Sequence, residues 1–407
     1  MALLVVWVLQ VSYKNHLRHE LEVAEEAAVL AVANHLVDDF LLTEDPQRQQ
    51  VVEKRALEAG RSLAALHHVG RHPLFLKENP ANETNGDLIL GTLIHPFSRE
   101  FAASAVGRPE LYHPNRNAVR AAVQRRGVGA SVTAFVDRDV IGFKIAGAMT
   151  VVKNGPSAIP VAPLALLTDP APYPRPEEWA ERDRASWEYR ILARKGLENN
   201  GQDFYRLDPK TGRPEPGSDN VPEIRITLLA GADENDPSAG GERHRANGRL
   251  VGVGVNQVRR AIRQFLQGIT APDLLPRGGK LLLGEGQGLT RNANRLLLPR
   301  LEPSTADLPV LAQALTDILG QPRVWMLYSE ASEEGPTPAL NVVGFVAARV
   351  MQVETSSSDG KGGVRRLSFI LQPCMLVTAT AVTDFRRRDL GPRTLFNPYV
   401  CKVRLVE

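Results

Sequence analysis

Residues Leu4 to Leu41 hold neither glycine nor proline, and the chain begins with an apolar run, Ala2 to Val11, broken only by Gln10. No other feature constrains the fold so strongly. Leu17, Leu21, Ala24, Ala28 and Ala31 recur at three- and four-residue steps, as do Val23, Ala27, Leu30, Ala33 and Val37. That spacing, rich in the best helix former, predicts one long helix with a broad, low-relief apolar face. Leu17, Leu21, Ala24, Ala28 and Ala31 are assigned as its packing face, where small side chains let another helix or the protein body approach closely.

The apolar run is harder to place. A bilayer span takes ~20 residues, and a signal peptide needs a basic start and a small-residue cleavage site. The run is too short for the first and lacks both features of the second. Two readings stand: a buried N-terminal helix or strand, and part of a membrane helix whose upstream portion lies outside this chain. The second is preferred. Lys14 and Arg18 follow the run, but an unseen upstream flank could outweigh them, so charge alone leaves the orientation open.

The chain has 407 residues, room for two or three domains, and 43% of them are hydrophobic, enough for a sizeable core. Forty-nine basic residues nearly balance 46 acidic ones and aromatics are 6%, which argues against a nucleic-acid surface. The two cysteines, Cys374 and Cys401, exclude a disulfide-dense scaffold or a zinc ribbon. They would form one bridge in an exported body and stay reduced core residues in the cytosol.

Further along, Gln47 to Leu66 reads as a second, more polar helix. Turn residues Asn82, Asn85 and Gly86 precede a short strand, Leu88 to Ile94. "NAVRAAVQRR" and "GASVTAFV" alternate as strands around an "RGVG" break, with Val119, Ala121 and Val123 on one face. "DVIGFKIAG" fits helix or strand. Prolines at 160, 163, 170, 172, 174 and 176 predict an extended, edge-like path and a subdomain boundary. Trp187–Leu192 and Glu223–Leu229 read as strands, with exposed loops at 207–220 and 231–248. A strand then feeds an amphipathic helix, Gln257–Leu266, and Leu308–Gly320 is a helix with a glycine stop. The final segments are strands, two of them joined at "SSSDGKGG". The fold class is α+β: a long N-terminal helix (anchor plus stalk) and a β-rich body with a few helices. Four regions are expected: 1–41, an anchor and stalk helix; 42–170, an α+β domain; 171–247, a Pro/Gly-rich variable region; and 248–407, an α+β domain ending in antiparallel strands.

"GVGVNQ" from Gly252 lies between strand and helix, but Gln257 stands where a dinucleotide fingerprint needs its third glycine. "GEGQG" and "RGGKL" lack the Lys-Ser/Thr of a phosphate loop. His67, His68 and His72 could place two histidines on one helical face, yet no third and fourth zinc ligand follows. In "DENDPSAGGERH", Pro237 and His244 occupy positions where a calcium loop needs oxygen ligands. "FRRRDLGPR" reads as a solvated basic run. No catalytic, cofactor-binding or metal-binding residue is assigned, and no cofactor is expected.

The order of segments nonetheless resembles a family. "VLQVSYKNHLRHELEVAEEAAVLAVAN" is similar to the lead segment of TadE/TadG-like proteins of the bacterial Flp (tight-adherence) pilus assembly system, matched here at Leu21, Ala24, Glu26, Ala27, Ala28, Leu30 and Ala31. "GDLILGTL", "NAVRAAVQRR" and "SVTAFVDRDVIGF" resemble the segments that follow, so the likeness covers about residues 1–170. Two departures count: the apolar segment is about half the family length, and the D-x-S-x-S signature of a metal-dependent adhesion domain is missing. The resemblance implies a non-enzymatic protein anchored in the inner membrane, its body extracytoplasmic, acting with other pilus-assembly or envelope proteins, without nucleic acid. A Cys374–Cys401 disulfide is expected for that location. An exported hydrolase with an unrecognised site and a soluble binding module of a larger complex are the alternatives.

Overall fold

The computed structural model describes residues 2–42, 46–93, 101–103, 118–125, 127–138, 140–145, 158–168, 203–231, 246–283, 296–332, 338–357, 364–383, 397 and 399–406. A long N-terminal helix leads into a β-rich body with several short helices, strand outweighing helix by 43% to 30%, which makes the fold α+β. The chain forms two units: Met1–Asp137 with Cys401–Glu407, and Arg138–Val400. The divisions expected at 41, 170 and 247 do not mark them. Packing of the first helix on strands beyond residue 118 crosses position 41, and pairing of strand 161–167 with strand 248–251 crosses the other two.

In the first unit, helix α1 (Ala2–His35) is followed by helix α2 (Pro46–Ala65). Strands β1 (His68–Val69) and β2 (His72–Pro73) make a tight hairpin. Its two turn residues, Gly70 and Arg71, both take positive φ (57° and 69°), as a two-residue hairpin turn of the favoured hand requires. His68 and His72 therefore lie on a hairpin and not on one helical face. Strands β3 (Leu88–Leu93), β4 (Phe101–Ala103), β5 (Ala118–Arg125), β6 (Val128–Asp137) and the C-terminal β20 (Val400–Val406) run antiparallel in the order β20-β6-β5-β3-β4. Val119, Ala121 and Val123 of β5 are buried, while Ala122 and Gln124 are exposed. The buried face is the one that α1 covers. Asn82, read as a turn residue, does more: its side chain donates to the Leu90 carbonyl (2.8 Å) and accepts from the Leu90 N–H (2.7 Å), pairing with β3 as a strand would. Asp137, fully buried at the end of β6, faces Arg404 of β20 at 3.3 Å.

The two helices pack through small residues. A β-carbon on Gly60 would lie 2.4 Å from Val32 Cγ2 and 3.0 Å from the Ala28 carbonyl oxygen. Gly60→Val is therefore expected to destabilise the first unit by about 1–3 kcal/mol through overpacking, measured as a lowered urea midpoint in circular dichroism. Gly60→Ala should lose less, because ~1 kcal/mol of helix propensity offsets its smaller clash.

In the second unit, β8 (Val161–Leu167), β12 (Gly248–Val251), β14 (Leu296–Leu301), β16 (Ala339–Ser357) and β15 (Pro322–Ser332) pair in a closed ring. The β8–β15 pairing is parallel and the other four are antiparallel. At 19 residues, β16 outruns the ring, and its second half pairs with β17 (Val364–Pro373), which in turn pairs with β11 (Ile224–Leu229). A second sheet, order β13-β7-β19, joins Lys280–Leu282, Val140–Lys144 and Ala381–Thr383.

The proline-rich stretch departs from expectation. β8 is buried at all seven positions and flanked on both sides, so it is no edge. Pro163 is tolerated because the β8–β15 register is interrupted there, between Val161 and Ala165, and a ladder break is where a residue without an N–H fits. The loop expected at 207–220 contains a second hairpin, β9 (Tyr205–Leu207) with β10 (Pro214–Pro216). Residues 140–144 are strand. The Trp187–Leu192 strand, the prolines from 170 to 176, the 233–244 acidic stretch, "GEGQG", "FRRRDLGPR" and residues 358–363 of the "SSSDGKGG" turn lie outside the described residues.

Helix α3 (Val258–Gln267) buries Ala261, Ile262, Gln264 and Phe265 and exposes Arg259, Arg260 and Arg263. Its last carbonyls, left without intrahelical donors, are met by Arg323: Nε donates to Phe265 (3.1 Å) and Nη2 to Leu266 (3.5 Å). Helix α4 (Ala271–Leu274) starts in a capping box between Thr270 and Asp273. Helix α5 (Asp307–Asp317) buries Leu308, Leu311, Ala314 and Leu315, and Gly320 follows at φ 73°.

Candidate functional site in the N-terminal helix

Helix α1 is two helices in chemical terms. At 34 residues it is about 50 Å long. Every residue from Leu4 to His16 is exposed, and burial begins abruptly at Leu17. Leu4, Val5, Val6, Trp7, Val8, Leu9, Val11 and Tyr13 make up eight of the 18 exposed large apolar residues among those described. Successive residues point 100° apart, so Leu4 to Leu9 cover the whole circumference. A helix apolar all round belongs inside lipid or protein. Within this chain Leu4 to Leu9 stay exposed, so the arm is not buried against the described residues of its own chain.

From Leu17 onward the same helix is core. Leu17, Leu21, Ala24 and Ala28 are buried, and Ala31 is half-buried. Of the second stripe, Ala33 alone is buried, while Val23 is 40% exposed. The junction carries charge: His16 lies 3.1 Å from Glu20 and Arg18 lies 2.8 Å from Glu22, both at i,i+4 spacing. Such exposed pairs contribute little to stability. Glu20 matters more through its other oxygen, which accepts the Gly70 N–H at 2.8 Å and ties the β1–β2 turn to α1.

Sequence reasoning missed Glu25. It sits on the covered side of α1 at 0% exposure, and its Oε1 accepts the Val123 N–H of β5 at 3.1 Å. Burial pushes its carboxyl up to about 7, against the lowering effect of that hydrogen bond, with Glu22 and Asp87 adding to the rise. The signal was present as a carboxylate one position beyond Ala24 in the packing stripe.

A second carboxylate group was also unforeseen. Asp203 accepts the N–H groups of Asp219 (3.0 Å) and Asn220 (2.6 Å) and the Ser218 hydroxyl. Glu223, 1% exposed, accepts from Tyr205 (2.9 Å) and Phe204 (3.3 Å), and burial raises its carboxyl to about 7. Gln372 donates to Asp219 and to the Tyr205 carbonyl, and the Tyr205 hydroxyl donates to Gln352. Every one of these carboxylates meets backbone N–H donors, so the cluster pins the β9–β10 hairpin.

Among the described residues, no group of three or more His, Cys, Asp or Glu side chains is arranged to hold a metal ion. Cys374 and Cys401 are buried thiols in different units, and the structure holds no disulfide between them. Both are fully buried, where a thiol packs as a small hydrophobe. No described helix is long and apolar enough to cross a membrane. No family model, curated protein or solved structure matches the chain.

Proposed function

We propose that the protein is a non-enzymatic bacterial envelope protein that acts in Flp-type pilus assembly, pilus anchoring or surface adhesion. It is held at the inner membrane through α1, with its body extracytoplasmic. One observation carries the reading: the largely apolar, exposed Leu4–Tyr13 arm is continuous with a helix half that forms the core of a folded unit. Such a helix is a rigid link, one end bound by its own domain and the other needing lipid or neighbouring helices. The TadE/TadG-like order of segments over residues 1–170 supports the same reading. The arm, about 15 Å long, covers about half of a ~30 Å hydrocarbon core.

Deletion of the gene in its source bacterium should abolish surface pili while pilin is still made. Wild-type protein should restore them, and a variant carrying Trp7→Glu and Val8→Lys should not. Normal piliation of the deletion strain would dismiss the reading.

A further inference from the structure

We propose that Glu25 is a pH-sensitive catch on α1: protonated, it keeps the Leu17–Leu36 half docked on the sheet, and ionised, it loosens that half. The catch does not rest on the pilus reading, since it lies wholly inside the first unit.

The geometry sets it up. Glu25 lies between Leu21 and Val29, all three at 0% exposure. Oε1 has the Val123 N–H, while Oε2 is buried without a hydrogen-bond partner among the described residues. A protonated carboxyl needs only modest solvation, whereas a carboxylate here lacks both water and a counter-charge. The described surroundings offer none. The α2 face toward α1 is Val52, Ala56, Gly60 and Ala64. On β5 the covered residues are Val119, Ala121 and Val123, and their register partners on β6 are Ala134, Val132 and Ala130. Arg120 alternates to the opposite face of β5. Arg125 donates to the Phe75 carbonyl and lies 3.9 Å from Asp87. Arg18 is paired with Glu22. The β1–β2 hairpin is engaged by Glu20, more than one turn away. The charges that do bear on Glu25, Glu22 of α1 and Asp87 ahead of β3, are both negative.

The direction follows from linkage. A carboxyl raised to about 7 in the docked helix, against an ordinary 4.5 when released, gives up a proton on release. Docking is thus firmest below about pH 4.5, weakens as pH rises through the interval, and levels off above about 7.

Amide hydrogen exchange on the full chain, corrected for intrinsic rates, tests this between pH 5 and 8. Opening of residues 17–36 should rise by up to about tenfold per pH unit to about pH 7 and then level off. In Glu25→Gln it should stay flat, and that variant should melt higher than wild type at pH 7.5 but alike at pH 5. Equal pH slopes in the two proteins would overturn the proposal. Carbon-13 titration of the wild-type Glu25 carboxyl needs no variant: a midpoint above 5.5 supports the catch, and one at or below 5.5 overturns it.

Discussion

Trp325→Ala is expected to lower the melting temperature of the second unit by about 10 °C. The indole is the largest fully buried side chain described and belongs to β15, which closes the ring of strands against both β8 and β16. Its ring centroid lies 6.1 Å from that of Phe265 on α3 and 5.9 Å from that of Phe369 on β17, and its Nε1–H donates to the Ala348 carbonyl at 3.0 Å. One side chain thus joins a helix, the ring and the extension beyond it. Truncation leaves a cavity that the sheet cannot collapse and a buried carbonyl without its donor. Comparable truncations cost about 3–5 kcal/mol, and a unit of this size loses about 2–4 °C per kcal/mol. Trp325→Phe keeps most of the ring and forfeits the hydrogen bond, so its loss should be about 1–2 kcal/mol. Scanning calorimetry checks both, and a near-wild-type melting temperature for the alanine variant would refute the assignment of Trp325 as the organising core residue.

The elements that periodicity could reach were legible, and those set by distant partners were not. The α1 stripe, the alternating β5 and the amphipathic α3 are each encoded by local spacing, which burial on one face imposes. Pro163 misled because a proline's meaning depends on the register of its neighbour: the interruption in the β8–β15 ladder is a property of the pair and is invisible in β8 alone. His68 and His72 have helical spacing, yet Gly70 and Arg71 take the positive φ of a hairpin turn. The unit boundary was unreadable because β8 and β12, 80 residues apart, are neighbours, and because β20 returns to pair with β6. In the candidate site, the apolar arm stood out at once, but its full exposure depends on where the rest of the chain goes. Glu25 stayed hidden because a carboxylate in an alanine-rich helix normally marks the solvent side. Its burial, and the absence of a counter-charge among the described residues, follow from how β5 and β6 pass beneath it.

The arm raises the most consequential expectation. Vesicles of phosphatidylethanolamine and phosphatidylglycerol, floated through a density gradient, should carry the wild-type chain upward. The gain comes from taking apolar area out of water at about 25 cal/mol per Å², with Trp7 and Tyr13 suited to the interface. Two charges placed in the arm by Trp7→Glu and Val8→Lys each cost about 2.5–3.5 kcal/mol in a bilayer, which predicts a loss of about four to five orders of magnitude in partitioning. The folded units should be untouched, because both positions are exposed and precede the first buried residue, Leu17. Val310→Lys, on the exposed side of α5, controls for an added charge elsewhere and should float as wild type does. Wild type and Val310→Lys in the top fraction, with the doubly charged arm left at the bottom, is the predicted result. A wild-type chain that stays at the bottom, or an arm variant that floats equally well, would contradict the account.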